Sequence, residues 1–375
     1  MQRNFNYFLF LVVAFLVVFS FFFFACLSAP TSLQGFGNTT YYLFHQIISG
    51  LLPGIALGYA AYKISLPFLK KIAPWLLLSN IVLMFLVFVP KIGFSAGGAN
   101  RWLNLGFGSL QPAELLKITA ILYLSAWIAS KLPEKSESNW LTSLKQSSHN
   151  FIYIFLPFVA FLGLIFIALY LQRDVSTMGI ISLTLLVIYF SSKTPLWHTL
   201  AIIGSGLAVL LFIVRFEPYR LSRWMVFLNP SADPLGMGYQ TNQALISLGS
   251  GGVFGKGLGM SAQKFGFLPE SLSDSIFAIL GEEIGAIGCI GLIAIFILLF
   301  WLGLKIAKNS TDRFSKMTAV GISFWIIFQA FINIASTAGI FPLAGIPLPF
   351  FSYGGSHLVS ELIGIGLLLN ISRNT

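Results

Sequence analysis

The sequence predicts an all-α polytopic membrane protein, with about ten transmembrane helices and one long extracytoplasmic loop between the seventh and the eighth. Two observations predict this fold class. Hydrophobic residues make up 57% of the 375 positions and charged residues only 9%, a balance typical of polytopic membrane proteins and not of soluble domains. The apolar residues also stand in runs of bilayer length. We therefore interpret residues 1–375 as a single membrane domain.

The apolar runs give the predicted spans in chain order, because a spanning helix needs roughly 20 mostly apolar residues. The first run follows Arg3 and could pass for a signal peptide, but it is nearly as long as a bilayer is thick, so we interpret it as a retained span. The sixth run is the shortest. The predicted spans are residues 7–27, 44–62, 73–89, 112–129, 151–171, 178–190, 196–214, 276–304, 317–338 and 356–371.

Basic residues concentrate in one set of alternate connections between these spans, and the opposite short connections hold few of them. Connections rich in Lys and Arg lie on the cytoplasmic side of a membrane more often than not. The sequence thus predicts that both termini are cytoplasmic. It also predicts that the one long connection, residues 215–275, lies outside the cytoplasmic membrane.

The composition excludes several classes of function. The net charge is +10, but the basic residues are scattered through short loops and do not form the basic face with aromatics that nucleic-acid binding needs. Cys26 and Cys289 each stand in an apolar run, which excludes a disulfide framework or a cysteine metal site. The histidines show no zinc-ligand spacing.

Residues 339–355 are rich in proline and glycine and cannot continue a helix. Irregular backbone is tolerated at membrane depth only where protein shields it or where it lines a wet cavity. We therefore expect a re-entrant or cavity-lining loop between the last two spans.

Ionisable residues within the predicted spans gather toward the outer side. Glu114 and Lys117 stand three apart on one helix face. Asp274 opens the eighth span, and Glu282 and Glu283 follow a few turns deeper. His357 and Glu361 open the tenth span. Each of these residues could equally serve an internal ion pair. The clustering favours a functional site, although spacing alone does not distinguish catalysis from transport.

Several motifs stand in a fixed order along the chain. They are Arg101-Trp102-Leu103, Gln111-Pro112-Ala113-Glu114-Leu115-Leu116-Lys117, Gly238-Tyr239-Gln240, Ser250-Gly251-Gly252, Gly255-Lys256-Gly257-Leu258-Gly259, Leu268-Pro269-Glu270 with Asp274, Gly281-Glu282-Glu283 with Gly285, and Pro347-Leu348-Pro349-Phe350-Phe351-Ser352-Tyr353-Gly354-Gly355-Ser356. In these residues and their order the chain resembles the SEDS family (shape, elongation, division and sporulation), which includes FtsW, RodA and SpoVE. The short glycine-ended segment before Gln263 looks more like the FtsW branch.

The resemblance implies a peptidoglycan glycosyltransferase that polymerises lipid II on the outer face of the bacterial cytoplasmic membrane, in cell division or cell-shape maintenance. It implies that Asp274 is the general base, with Lys117 and Glu114 as its electrostatic partners. Arginine suits pyrophosphate because its planar fork makes paired hydrogen bonds. The expected pyrophosphate ligands are Arg101, Arg215, Arg223 and Lys256, and the other expected substrate-binding residues are Gln111, Gln240, Glu270, Glu283, Ser352, Ser356 and His357.

The resemblance further implies a divalent cation, Mg or Mn, which Asp274 could bind instead of acting as the base. It implies a class B penicillin-binding protein, a transpeptidase, as a partner, along with other divisome or elongation proteins. The glycine run at residues 249–259 fails the P-loop pattern, and we expect a mobile loop on the acceptor side there. The chain also lacks the histidine that the family often has between Glu270 and Asp274.

Two other functions fit the same residues. A lipid II flippase would use the outer cavity for passage across the membrane, although such transporters often show repeated halves and this sequence shows none. A non-catalytic division scaffold would need only the partner interactions. Loss of Asp274 with assembly intact distinguishes the scaffold from the enzyme.

Overall fold

A computed structural model describes residues 6–96, 98–104, 106, 108–131, 155–192, 198, 200–204, 206, 224–229, 236 and 238–374. Within this part of the chain, seven helices are long and apolar enough to cross a membrane, and two further apolar helices are shorter. The seven are α1 (Tyr7–Phe36), α2 (Tyr41–Lys63), α3 (Leu66–Leu86), α4 (Pro112–Lys131), α8 (Ile276–Asn309), α9 (Arg313–Thr337) and α10 (Gly355–Arg373); the shorter two are α5 (Leu156–Leu171) and α6 (Val175–Ser191).

The described helices agree with the predicted spans wherever both can be compared. The predicted span at residues 196–214 lies mostly outside the described residues, so the number of spans stays a prediction. The long loop between that span and α8 is described only in part. That part holds a helix, α7 (Tyr239–Gly251), and a 3-10 turn at Gln263–Phe265.

The structure is mainly helical, as predicted, and adds a small sheet between α3 and α4 that the sequence did not predict. Three short antiparallel strands lie there in the order β1 (Gly93–Ala96), β2 (Ala99–Asn104) and β3 (Ser109–Leu110). On the first pair the rings of Phe94 and Trp102 stack at 6.4 Å. The sheet leads directly into Pro112 at the first position of α4, where proline is favoured because its missing N–H needs no partner.

Small residues let α2 and α10 pack closely. A side chain at Gly58 would place its Cβ 2.7 Å from the Leu362 carbonyl oxygen, so only glycine fits there. Close approach of backbones through small residues is the usual packing mode of membrane helices. A π-helical turn at Ile47–Leu51 of α2 lies beside Gly355 at the start of α10.

The core of the described structure lies around α4, α9 and α10, whose side chains are mostly buried, whereas α1, α2 and α3 expose apolar side chains along much of their length. Residues 338–354 connect α9 to α10 without a helix, as the prolines and glycines predict. Several of their apolar side chains are buried, so protein shields this loop.

Helix α8 is broken at Gly285, where φ is 68° and ψ is −173°. The chain after α7 occupies the break: the amides of Lys256 and Gly257 donate to the carbonyls of Glu282 and Glu283 at 2.9 and 3.0 Å. Helix α7 runs alongside the first half of α8, and the Ser247 hydroxyl donates to the Ala278 carbonyl at 3.0 Å. The segment from α7 to the start of α8 is thus packed against the helical bundle.

Candidate functional site

Asp274 lies in a tight turn just before α8. The amides of Ser273 and Ser275 both donate to the Glu270 carbonyl at 3.1 Å, and Glu270 itself adopts a positive φ of 51° and is exposed. The Asp274 side chain is half-buried, and Gly345 lies so near that a Cβ there would be 3.5 Å from Asp274 Oδ2. The turn therefore presents a carboxylate against the proline-rich loop.

The loop at residues 338–354 holds this turn from the other side. The Tyr353 amide donates to the Leu272 carbonyl at 2.8 Å, and the Ser352 hydroxyl donates to the Ser273 carbonyl at 2.6 Å. The same hydroxyl accepts from the Leu348 amide at 2.8 Å and is fully buried. Ser352 was predicted to bind substrate, and the structure gives it a structural partner at the Asp274 turn.

Lys117 and Glu114 form the buried pair that the sequence predicts. Lys117 Nζ lies 2.8 Å from Glu114 Oε2, and both side chains are almost wholly inaccessible to solvent. The ammonium also donates to Gln329 Oε1 at 2.8 Å. Charges at membrane depth are stable only with such partners.

Gln329 joins this ion pair to the proline-rich loop. Its amide nitrogen donates to the Pro347 carbonyl at 3.2 Å and to Glu361 Oε1 at 3.3 Å, while the other oxygen of Glu361 accepts from the Phe350 amide at 2.8 Å. Lys117 is thus connected to the Asp274 turn through Gln329 and the loop. Its role as an electrostatic partner of Asp274 stays a prediction.

A second cluster lies at the N-terminal end of α4. The Gln111 side-chain amide donates to Asp174 Oδ2 at 3.3 Å, and the Gln111 backbone N–H donates to the Ser356 hydroxyl at 3.0 Å. Arg101 donates to the carbonyls of Gln172, at 3.1 Å, and of Arg173. The Arg101 guanidinium, which we expected to bind pyrophosphate, therefore links β2 to the turn between α5 and α6.

Two acids at the break in α8 hold the glycine run that we expected to be a mobile loop. Lys256 Nζ lies 2.6 Å from Glu282 Oε1, with 41% of the lysine side chain exposed and 1% of the glutamate. Glu283 accepts from the amides of Gly259 and Ser261 at 2.8 and 3.2 Å, and Lys264 lies 3.5 Å from it. These contacts fix the run to α8. Lys256 and Glu283 have internal partners here, and their substrate roles stay predictions.

Gln240 borders a cavity beside the Asp274 turn. Its amide donates to the Ser275 hydroxyl at 3.0 Å. The cavity has a volume of about 230 Å³ and is lined by residues from α7, the turn and the proline-rich loop, among them Tyr239, Pro269 and Phe341. Gln240 connects this cavity to the Asp274 turn, and a concave opening of this kind is where a substrate group could enter.

His357 is the third residue of α10 and is buried, and no partner for its Nε2 exists among the described residues. Before it, the Tyr353 hydroxyl and His45 Nδ1 form a hydrogen bond of 2.7 Å. Burial, followed by the neighbouring Tyr42 and Tyr41, raises the pKa of the Tyr353 phenol, so the group stays protonated at neutral pH. The contact ties α2 to the proline-rich loop.

The structure does not supply every predicted ligand. Arg215 and Arg223 lie outside the described residues. In the described ranges no three His, Cys, Asp or Glu side chains come close enough together to hold a metal ion. Asp274 therefore has no metal ligand set among these residues, and the divalent cation stays a prediction.

Sequence reasoning missed the two amides Gln329 and Asn333. They stand four residues apart on α9, facing the loop, and both are buried. The signal that could have found them is their spacing: polar amides one turn apart in an otherwise apolar span usually face a protein interior.

Comparison with known proteins places the chain among cell-wall proteins. Residues 6–375 match the family described as "Cell cycle protein", that of FtsW, RodA and SpoVE. The chain belongs to this family. Like the other FtsW/RodA/SpoVE proteins, it is a multi-pass membrane protein.

Two curated members of the FtsW/RodA/SpoVE family illustrate the similarity. A probable peptidoglycan glycosyltransferase FtsW from Coxiella burnetii is 38% identical over 342 residues, covering 89% of this chain and 88% of that protein. The stage V sporulation protein E of Bacillus subtilis is also 38% identical, over 294 residues that cover 78% of this chain and 76% of the relative.

Two solved structures share the fold of this FtsW/RodA/SpoVE chain. The rod shape determining protein RodA of Thermus thermophilus superposes with a TM-score of 0.67 at 24% identity, covering 99% of this chain and 97% of that one. A chain from a peptidoglycan synthase complex, in a study of how polymerization and crosslinking are coordinated, superposes with a TM-score of 0.77 at 23% identity, covering 99% of this chain and 98% of that one.

Proposed function

We propose that this chain is a peptidoglycan glycosyltransferase acting in cell division or cell-shape maintenance, with lipid II as its substrate. Curated relatives of more than one third identity carry the name peptidoglycan glycosyltransferase. The observation that carries the proposal is the Asp274 turn, where the proline-rich loop packs against a half-buried carboxylate and Gln240, which lines a cavity, donates to Ser275 in the same turn.

In the proposed reaction, Asp274 accepts the proton of the acceptor sugar's 4-hydroxyl as its oxygen attacks the anomeric carbon of the donor. The bond from that carbon to the pyrophosphate oxygen breaks, and undecaprenyl pyrophosphate leaves with the electron pair. A fixed base lowers the barrier because the reacting groups need little further alignment. The buried Lys117 and Glu114 pair contacts Gln329, which donates to the proline-rich loop that packs against the turn.

The proposal places the Asp274 turn on the outer side of the bacterial cytoplasmic membrane, with both termini in the cytoplasm. A class B penicillin-binding protein is the proposed partner, since glycan made by one protein must be crosslinked by another; other division or elongation proteins would join them. A divalent cation is proposed as a cofactor. Chelation that abolishes polymer, with recovery on adding Mg or Mn, would support it.

The test compares glycan made from labelled lipid II by the intact chain and by Asp274→Asn, each purified with the transpeptidase. Asp312→Asn is a matched control, because Asp312 caps α9 roughly 30 Å along that helix from Asn333, at its far end. We expect polymer from the intact chain and from Asp312→Asn, and none from Asp274→Asn.

Other outcomes contradict the proposal in different ways. Equal polymer from Asp274→Asn would remove Asp274 from the reaction. No polymer from the intact chain, with lipid II passing between leaflets of a vesicle, would favour the flippase. Neither polymer nor lipid movement, with the complex assembled, would favour the scaffold.

A further inference from the structure

Helix α9 presents a second buried amide to the Asp274 turn. Asn333 stands one helical turn after Gln329, so the two side chains share a face. Asn333 Nδ2 donates to the Asp274 carbonyl at 2.8 Å and to the Ile346 carbonyl at 2.7 Å. One nitrogen thus holds both the backbone of the turn and the backbone of the loop that packs against it.

The orientation of this amide follows from its surroundings. Carbonyl oxygens only accept hydrogen bonds, so the Asn333 nitrogen, with its two hydrogens, must face them. Asn333 Oδ1 is consequently directed elsewhere, and it is buried with no hydrogen-bond donor among the described residues. A buried acceptor without a donor is destabilising. Among the described residues, the burial of Asn333 Oδ1 therefore costs stability.

Asn370 provides a comparison within the same molecule. It is fully buried near the end of α10, and its Nδ2 also donates to two carbonyls, those of Ala61 at 2.8 Å and Ile64 at 2.7 Å. Its Oδ1, however, accepts from Asn374 at 3.0 Å. Both asparagines thus donate to two carbonyls. The side-chain oxygen of Asn370 also has a donor, whereas that of Asn333 has none among the described residues.

We propose that Asn333 is a positioning residue for glycosyl transfer, which holds the Asp274 turn at a fixed distance from the proline-rich loop. The loop forms one wall of the space around the carboxylate, since Gly345 lies against Asp274 Oδ2. Without Asn333 the wall and the carboxylate shift relative to one another. This inference rests on the proposed function, because it assumes that Asp274 acts on the acceptor hydroxyl.

A positioning role affects the rate of the chemical step more than substrate binding. Misplacement of a reacting group by about 1 Å lowers a rate by about 100-fold. We expect Asn333→Ala to lower kcat by about that factor, while KM changes by less than about twofold. A general loss of folded protein would instead lower the yield of active enzyme equally in every assay.

The experiment compares Asn333→Ala with Asn370→Ala in the purified complex, using labelled lipid II. Asn333→Asp keeps the side-chain volume while replacing the donor nitrogen with oxygen, so it separates lost hydrogen bonds from a cavity. Hydrogen exchange of the peptides covering residues 270–275 and 346–353 reports the turn without any catalysis. We expect low kcat and faster exchange in both Asn333 variants, and near-normal kcat in Asn370→Ala.

Three outcomes would overturn the inference: unchanged kcat in Asn333→Ala, normal kcat in Asn333→Asp, or an equal loss of kcat in Asn370→Ala. Unchanged exchange in both peptides would overturn it whatever the activity. Failure of the proposed function is recognised separately, because the intact chain would then make no polymer. In that case the catalytic role of Asn333 fails too, and the exchange data alone decide whether it holds the turn.

Discussion

Lys117 and Glu114 show how this protein keeps charges inside a membrane domain. The ammonium has a carboxylate at 2.8 Å, an amide oxygen at 2.8 Å and the Trp325 ring centroid at 5.2 Å. Desolvating an isolated ion costs several kcal/mol, so each of these partners is needed to offset that cost. The cluster is stable as a complete set and not as separate pairs.

Lys117→Met should therefore destabilise the protein strongly, because it leaves the buried Glu114 carboxylate without its cation. Removing one partner of a buried ion pair costs about 3–5 kcal/mol. The double variant Lys117→Met with Glu114→Gln should recover part of this loss, since no charge is then left unpaired. Unfolding by SDS in mixed micelles measures the free energy of each variant.

Lys305→Met is the matched control for this prediction. Lys305 also lies 5.2 Å from a tryptophan ring, that of Trp301, but it is exposed. An exposed cation over a ring contributes about 0.5–1 kcal/mol. A loss at Lys117 no larger than that at Lys305 would show that the buried ion pair is not what stabilises this region.

The acids of the site could be predicted from the sequence, whereas most of their partners could not. The pairing of Glu114 with Lys117 could be predicted because side chains three residues apart on a helix lie next to each other. Gln329 reaches Lys117 from 212 positions further along the chain. Such a contact depends on how whole helices pack, and a single sequence does not show that packing.

At the scale of elements, the break in α8 is the feature that holds the glycine run in place. Gly285 has a positive φ of 68°, and a Cβ there would lie 2.5 Å from the Val253 carbonyl oxygen. The break opens backbone positions to which the glycine run hydrogen-bonds. Only a residue without a side chain can occupy this position.

Gly285→Ala should detach the glycine run from α8 and lower the stability of the protein. Gly291→Ala, on the same helix, is the control, because nothing lies within 4 Å of a Cβ built there. Alanine at Gly291 should be neutral or stabilising by up to about 1 kcal/mol, the difference in helix propensity. Thermal unfolding in detergent and limited proteolysis of residues 252–264 measure the two effects. Equal behaviour of the two variants would contradict the importance of the break.

The elements differ in how far the sequence could predict them. Helices such as α4 and α9 are predictable because a bilayer demands long apolar runs, and the irregular loop before α10 is predictable from its prolines. The sheet at β1 to β3 was missed. Its strands are two to six residues long, and their pairing depends on partners elsewhere in the chain more than on local pattern.

At the scale of the whole molecule, the function depends on the side of the membrane on which the Asp274 turn lies. Helix α8 begins one residue after the Asp274 turn ends and reaches Asn309 at its other end. Because α8 is broken at Gly285, only the part after the break, residues 286–309, counts as one continuous helix, and it spans roughly 36 Å, more than the thickness of a bilayer core. Its two ends therefore lie on opposite sides, and labelling both ends fixes the orientation of the site.

Single-cysteine variants can measure this orientation after Cys26 and Cys289, the two free cysteines, are replaced by serine. Phe267→Cys reports the side of the Asp274 turn and Asn309→Cys the opposite end, since both positions are exposed. We expect a membrane-impermeant maleimide to label Phe267→Cys in intact spheroplasts and Asn309→Cys only after lysis. The reverse pattern would put the carboxylate in the cytoplasm, where it could not polymerise a substrate displayed on the outer leaflet.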